Sequence, residues 1–121
     1  MGNPHAVMFV RDPEVVDLPT IGPMIEHHPL FPRRTNAEFV RVIDRGILQM
    51  RVWERGTGET LACGTGACAA LVAAVLTGQS DRTVQMKLTG GNLQLHWNAD
   101  DNHVYQSGPA TFVYDGEWLG D

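Results

Sequence analysis

Residues 66–77, GACAALVAAVLT, decide the fold. The run is small or apolar on every side and is followed by Gly78, the residue type that most readily takes the left-handed turn after a helix. A helix at the surface of a protein carries a polar face. This one has none, so it must be covered all round. Working outward, the flanking segments carry the other periodicity. Phe39 to Asp44 and Ile47 to Glu54 are rich in Val, Ile, Phe and Trp and are separated by Arg45-Gly46, which predicts an antiparallel hairpin. Val84, Met86 and Leu88, then Leu93, Leu95 and Trp97, alternate with mostly polar residues on either side of Gly90-Gly91 and predict a second. His5 to Val10 reads as a strand stopped by Asp12-Pro13, and Val104 to Ser107 and Thr111 to Tyr114 as strands interrupted by Gly108-Pro109. From Leu18 to His28, Pro19 in the first turn and Pro29 after the last bracket a short helix, with Leu18, Ile21 and Ile25 at helical spacing. The expected fold class is α+β: one domain over residues 1–121, a mostly antiparallel sheet wrapped around one buried central helix.

Composition narrows the function classes. A chain of 121 residues buries roughly two-thirds of its unfolded surface, enough for a core without covalent staples. Nine basic against 14 acidic residues leave a net charge of −5, and eight of the nine cations are scattered arginines. No face reads as a tracker of phosphates, so nucleic acid is not an expected partner. The start MGNPHAVMFVRD has no basic leader and too short an apolar run to cross a membrane, and Ala6 stands where a myristoylation signal needs Ser or Thr. The expectation is a soluble chain with no membrane partner, in a reducing compartment, most simply the cytoplasm, with both cysteines as free thiols.

The chemistry concentrates in residues 54–68, ERGTGETLACGTGAC, where Cys63 stands between a Gly-rich loop and the start of the buried helix. Unpaired amides and the positive dipole end at a helix N-terminus favour a thiolate, which predicts a lowered pKa for Cys63. The amides of Gly64, Thr65 and Gly66 can also cradle a carboxylate. A lone cysteine before a helix is most simply a small buried filler. Here Glu54, Arg55, Glu59 and Thr60 bring polar groups to the same turn, which a plain core connection does not need, and this favours a functional Cys63. Cys68 lies five residues on, about 140° around a helix, and reads as core. The two cysteines lack the short spacing of a zinc pair, and no metal is expected. His27 and His28 read as a solvated helix end and His96 and His103 as surface residues. His5 would serve the site only if the fold brings it to Cys63.

Taken together, GNPH at 2–5, TNAEFV at 35–40, ERGTGETLACGTGACA at 54–69, GGNLQLHW at 90–97 and GPATFVYDG near the end resemble the carboxy-terminal half of diaminopimelate epimerase. Proline racemases are similar around a Cys-Gly-Thr-Gly turn, but their approach to it lacks the ERGxGET pattern. The resemblance implies cofactor-independent inversion at an α-carbon, interconverting LL- and meso-diaminopimelate for lysine and peptidoglycan precursors. One cysteine thiolate removes the α-proton while a second thiol supplies a new one from the opposite face. By motif, Cys63 matches the second of these cysteines, with Glu54 and His5 as the other catalytic matches. Gly64 and Thr65 match the amides that hold the reacting carboxylate, and Asn3, Asn36 and Arg55 the groups that read the distal amino-acid end. The half of the family pattern carrying the other cysteine, in a Cys-Gly-Asn-Gly turn, is not among these 121 residues. The expectation is therefore a half-site, inactive alone. It would need a partner half, either a complementary polypeptide or a second copy, and self-association is expected because an unpaired half exposes its docking face. The competing readings are a non-catalytic amino-acid-binding module and a fragment without independent activity.

Overall fold

The computed structural model describes residues 4–61, 63–107 and, as backbone alone, 113–117. In chain order the elements are β1 (His5–Phe9), a 3-10 turn (Pro13–Val15), α1 (Leu18–Glu26), β2 (Asn36–Asp44), β3 (Ile47–Glu54), β4 (Gly58–Thr60), α2 (Gly64–Leu76), β5 (Thr83–Leu88), β6 (Gly91–Trp97), β7 (His103–Ser107) and β8 (Val113–Glu117). The strands form one sheet in the order β1-β2-β3-β5-β6-β7-β8, with β4 paired to the end of β3. Both expected hairpins are present, β2–β3 and β5–β6, and the sheet is mostly antiparallel. Two pairings are parallel: β1 with β2 and β3 with β5, in each of which a helix carries the chain across.

Helix α2 packs on β1, β2, β3 and β6. Gly66 to Val72 and Ala74 are buried along it, which is why no polar face was needed. Its last turn closes as expected. Gly78, at φ +75°, donates its N–H to Val75 O while Gln79 N–H reaches Ala74 O, so two carbonyls left over by the helix are satisfied. No helix among the described residues is long and apolar enough to cross a membrane.

Strand alternation sorts the side chains to two faces. Val7, Phe9, Val40, Leu48, Met50 and Val52 join the core around α2. Met8, Ala37, Phe39 and Trp53 form a smaller core on the other face with Leu18 and Ile25 of α1. The expected central helix is therefore found, and a second helix covers part of the sheet's outer face. The same parity places His5, Asn36, Glu38 and Glu54 on the α2 side, since His5, Glu38 and Glu54 each lie two residues from a side chain of that core and Asn36 lies four from Val40.

On the outer face, Glu26 at the end of α1 does the work of a clamp. Its carboxylate is buried, accepts from Trp53 Nε1–H at 2.8 Å and accepts from Gly56 N–H at 2.9 Å. These bonds, the indole's first, hold the Glu26 carboxyl below its ordinary range against the opposing effect of burial. A carboxyl depressed in the folded state contributes stability that is complete above its unfolded value and disappears as pH falls through the folded one. Glu26→Gln is thus expected to lower the melting temperature at neutral pH, with the difference from the parent shrinking in acid. Parallel melts from pH 7 to pH 3 check this, and a pH-independent difference would contradict it.

Candidate active site

Cys63 is the N-cap of α2. Its backbone is extended, and its Sγ accepts from Gly66 N–H at 3.2 Å, so the sulfur satisfies one of the helix's unpaired amides. The helix begins at Gly64, two residues before the expected start, because the thiol supplies a cap that glycine-rich sequence alone does not announce. One consequence is that Gly66 is committed to the sulfur. Of the three amides expected to cradle a carboxylate, Gly64 and Thr65, at the first two helical positions, are the two whose N–H groups have no intrahelical acceptor. Gly64 is further fixed through its carbonyl, which accepts from Gln106 Nε2 at 2.9 Å.

The expected lowering of the Cys63 pKa is overturned. Cys63 is 7% exposed, and burial pushes its thiol up, against the pull of the Thr65 hydroxyl and the Gly66 amide. Two carboxylates, Glu54 and Glu38, push it further the same way. Desolvation and negative neighbours outweigh the helix terminus, and Cys63 rests as a thiol. Cys68 is core as expected, buried on the same helix with its Sγ accepting from Gln106 Nε2 at 2.6 Å, and burial pushes its thiol up to about 11.

Glu54, the last residue of β3, accepts from Thr60 Oγ1 at 2.5 Å, so β4 folds back to hold this carboxylate beside the thiol. Glu59 does not join them. It alternates to the outer face and pairs with Arg51 at 2.9 and 3.0 Å. Asn36, 3% exposed, accepts Arg55 N–H on Oδ1 at 2.6 Å, and the Arg55 guanidinium donates to Arg33 O at 3.2 Å. Asn36 thereby fixes the backbone from which Arg55 projects. Asn3 lies outside the described residues, as do Gly108 and Pro109 and the first part of the expected strand from Thr111.

His5 does reach the site, through a residue that sequence reading missed. Its Nδ1 lies 3.1 Å from Glu38 Oε2, with both side chains buried. A methyl group on Gly66 would sit 3.1 Å from Cys63 Sγ and 3.1 Å from Glu38 Oε2, so the thiol and this carboxylate face the same small gap. Burial raises the Glu38 carboxyl, His5 opposes it, and Glu54 adds to it. The signal for Glu38 was its parity: it stands between Asn36 and Val40 on the inward face of β2, once that strand is begun at Asn36 rather than Phe39.

The cluster, on three strands and one helix start, offers a thiol, two carboxylates, an imidazole and two amides. Such a set can bind a carboxylate and an ammonium and move a proton at the carbon between them. A family model described as diaminopimelate epimerase matches residues 1–113. Diaminopimelate epimerase of Acetivibrio thermocellus is 63% identical over 117 residues, covering 97% of this chain and 42% of the relative. That of Moorella thermoacetica is 59% identical over 118 residues, covering 98% and 42%. The chain thus spans about two-fifths of the length of the curated relatives it matches. Among solved structures, a phenazine biosynthesis protein of the PhzF family from Bacillus anthracis shares the fold at a TM-score of 0.61 and 16% identity, over 88% of this chain and 34% of that one. Its Enterococcus faecalis counterpart gives 0.63 and 14%, over 86% and 36%.

Proposed function

Because this chain belongs to the diaminopimelate epimerase family, we propose that it builds one half of a cofactor-independent epimerase site acting on diaminopimelate, with Cys63 addressing one face of the α-carbon. The observation that carries this reading is Cys63 capping α2 with the Glu38 carboxylate facing it across Gly66 and Glu54 near enough for its charge to act on the thiol. In one direction Cys63 as thiolate takes the α-proton, the C–H electron pair remaining on carbon, and a thiol on the opposite face delivers a proton to that pair. In the other direction Cys63, resting as a thiol, is the donor. The substrate carboxylate sits on the Gly64 and Thr65 amides, which meet the charge that develops as the α-carbon loses its proton. Glu54 takes the ammonium. Burial chiefly raises the Cys63 thiol and the carboxylates add to it; the bound cation offsets that added negative charge and so favours the thiolate. Arg55, placed by Asn36, reads the distal carboxylate, for which its planar fork suits.

The second acid is not Cys68. It lies in the buried body of α2, engaged by Gln106, with its thiol pushed up to about 11. The opposite face therefore needs a group from elsewhere, supplied by the complementary portion that the relatives carry beyond this match. Exposed Leu61, two residues from Cys63, and exposed Leu76 and Met24 fit surfaces covered in such an assembly. The test mixes this chain with the portion of the Acetivibrio thermocellus relative that it does not match. The expected result is that the chain alone leaves LL-diaminopimelate unchanged, whereas the mixture co-elutes as a complex and produces the meso isomer. Turnover by the chain alone at the rate of the mixture, or an assembled but inactive complex, would overturn it.

A further inference from the structure

Glu38 is the one fully buried carboxylate in the described core: it is 0% exposed, and its Oε1 has no hydrogen-bond partner among the described residues. Burying a carboxylate is costly unless it is paired and hydrogen-bonded. What it touches is His5, through Oε2 at 3.1 Å from Nδ1, and what it faces across Gly66 is Cys63. The parallel register of β1 and β2 sets this contact, pairing His5 with Asn36 and Val7 with Glu38, so that imidazole and carboxylate are diagonal neighbours on one face. Gly66 matters for the same reason, because any side chain there would press on both the carboxylate and the sulfur.

We propose that Glu38 is a positioning residue of this site, accepting the Nδ1–H of His5 so that the ring keeps its lone pair on Nε2, the nitrogen opposite the one that meets Glu38. The hydrogen bond on one ring nitrogen decides which other nitrogen is basic. The proposal rests on the reading above only in taking His5 as part of an epimerase site; the pairing of His5 with Glu38 does not depend on it. Glu38 also sets the charge around the thiol. The charged and titratable groups that act on Cys63 are Glu54 from β3, Glu38 from β2 and Cys68 from its own helix, and those that act on Glu38 are His5 from β1 and Glu54.

The test uses the full chain labelled with ¹⁵N in histidine. The ring shifts of His5 are expected to show a proton held on Nδ1 in the parent, and a mixture of tautomers in Glu38→Gln, whose amide both donates and accepts. In the same variant the pH midpoint for iodoacetamide alkylation of Cys63 is expected to fall, with a rate gain of about threefold to tenfold below that midpoint, as the carboxylate charge is removed. A merely structural loss would speed alkylation of Cys63 and Cys68 alike without moving the midpoint. Neutral His5 protonated on Nε2 in the parent needs no variant to observe and would overturn the proposal, as would an unchanged tautomer and midpoint in Glu38→Gln. Loss of the proposed epimerase activity would leave these readouts unaffected, so the two readings fail separately.

Discussion

Cys63→Ala in the assembled site is expected to reduce epimerisation by at least about 10²–10⁴-fold, the usual worth of a positioned acid or base. The expectation is strong because nothing nearby replaces the thiol on its face. Glu54 is held by Thr60, Glu38 is shared with His5, and Cys68 is turned into the core. The fold should survive the change. Sulfur caps one amide of α2, and losing an N-cap costs about 1 kcal/mol, whereas the helix is anchored along the whole run from Gly66 to Val72. Cys63→Ser separates the two roles, since serine is a better cap and a far weaker acid and base at neutral pH. It should keep or raise the melting temperature while losing activity nearly as completely as alanine. Steady-state epimerisation beside thermal melts checks both arms, and activity near the parental rate in Cys63→Ala would remove Cys63 from the mechanism.

Gly22→Ala is expected to destabilise the chain by about 2–3 kcal/mol, reversing the gain of about 1 kcal/mol that alanine normally brings to a helix interior. Gly22 is buried in α1 with the Trp53 indole lying directly on it. A methyl group there would meet Trp53 Cγ at 2.5 Å and Cε3 at 2.8 Å, well inside contact distance. The ring has little room to retreat, because its Nε1–H is bound by Glu26, one turn further along the same helix. Displacing the indole also pulls on the Glu26 carboxylate that holds Gly56, next to Arg55. The variant should therefore unfold at lower urea and show altered tryptophan emission while still folded. A melting temperature at or above the parent's would mean that α1 slides on the sheet without cost.

Much of this arrangement was legible in the residues, for stated physical reasons. Apolar runs with period two marked both hairpins, and a helix without a polar face announced its own burial. Cys63 could be placed at a helix start because a glycine-rich loop runs into an apolar helical stretch there. What escaped depended on long-range partners. The parallel pairings of β1 with β2 and of β3 with β5 leave no local trace, and β4 is three residues long within what reads as loop. Glu38 was hidden because a carboxylate at a strand start looks like solvent-facing polarity until the pairing with His5 is known. Glu26 was hidden likewise, since beside His27 and His28 it reads as an exposed helix end. The direction of the Cys63 pKa was misjudged because burial and neighbouring charge are tertiary properties, and here they exceed the local helix effect.

The central claim is that Cys63 exchanges a proton at one face of an α-carbon while a group outside this chain serves the other. Its most direct test is the isotopic content of product formed from LL-diaminopimelate in D₂O by the chain assembled with the complementary portion of its relative, at early conversion. The account predicts that each meso product molecule carries solvent deuterium at the inverted carbon, and that Cys63→Ala abolishes its formation. Product that retains the substrate's own hydrogen, or deuterated product formed equally well by Cys63→Ala, would contradict it.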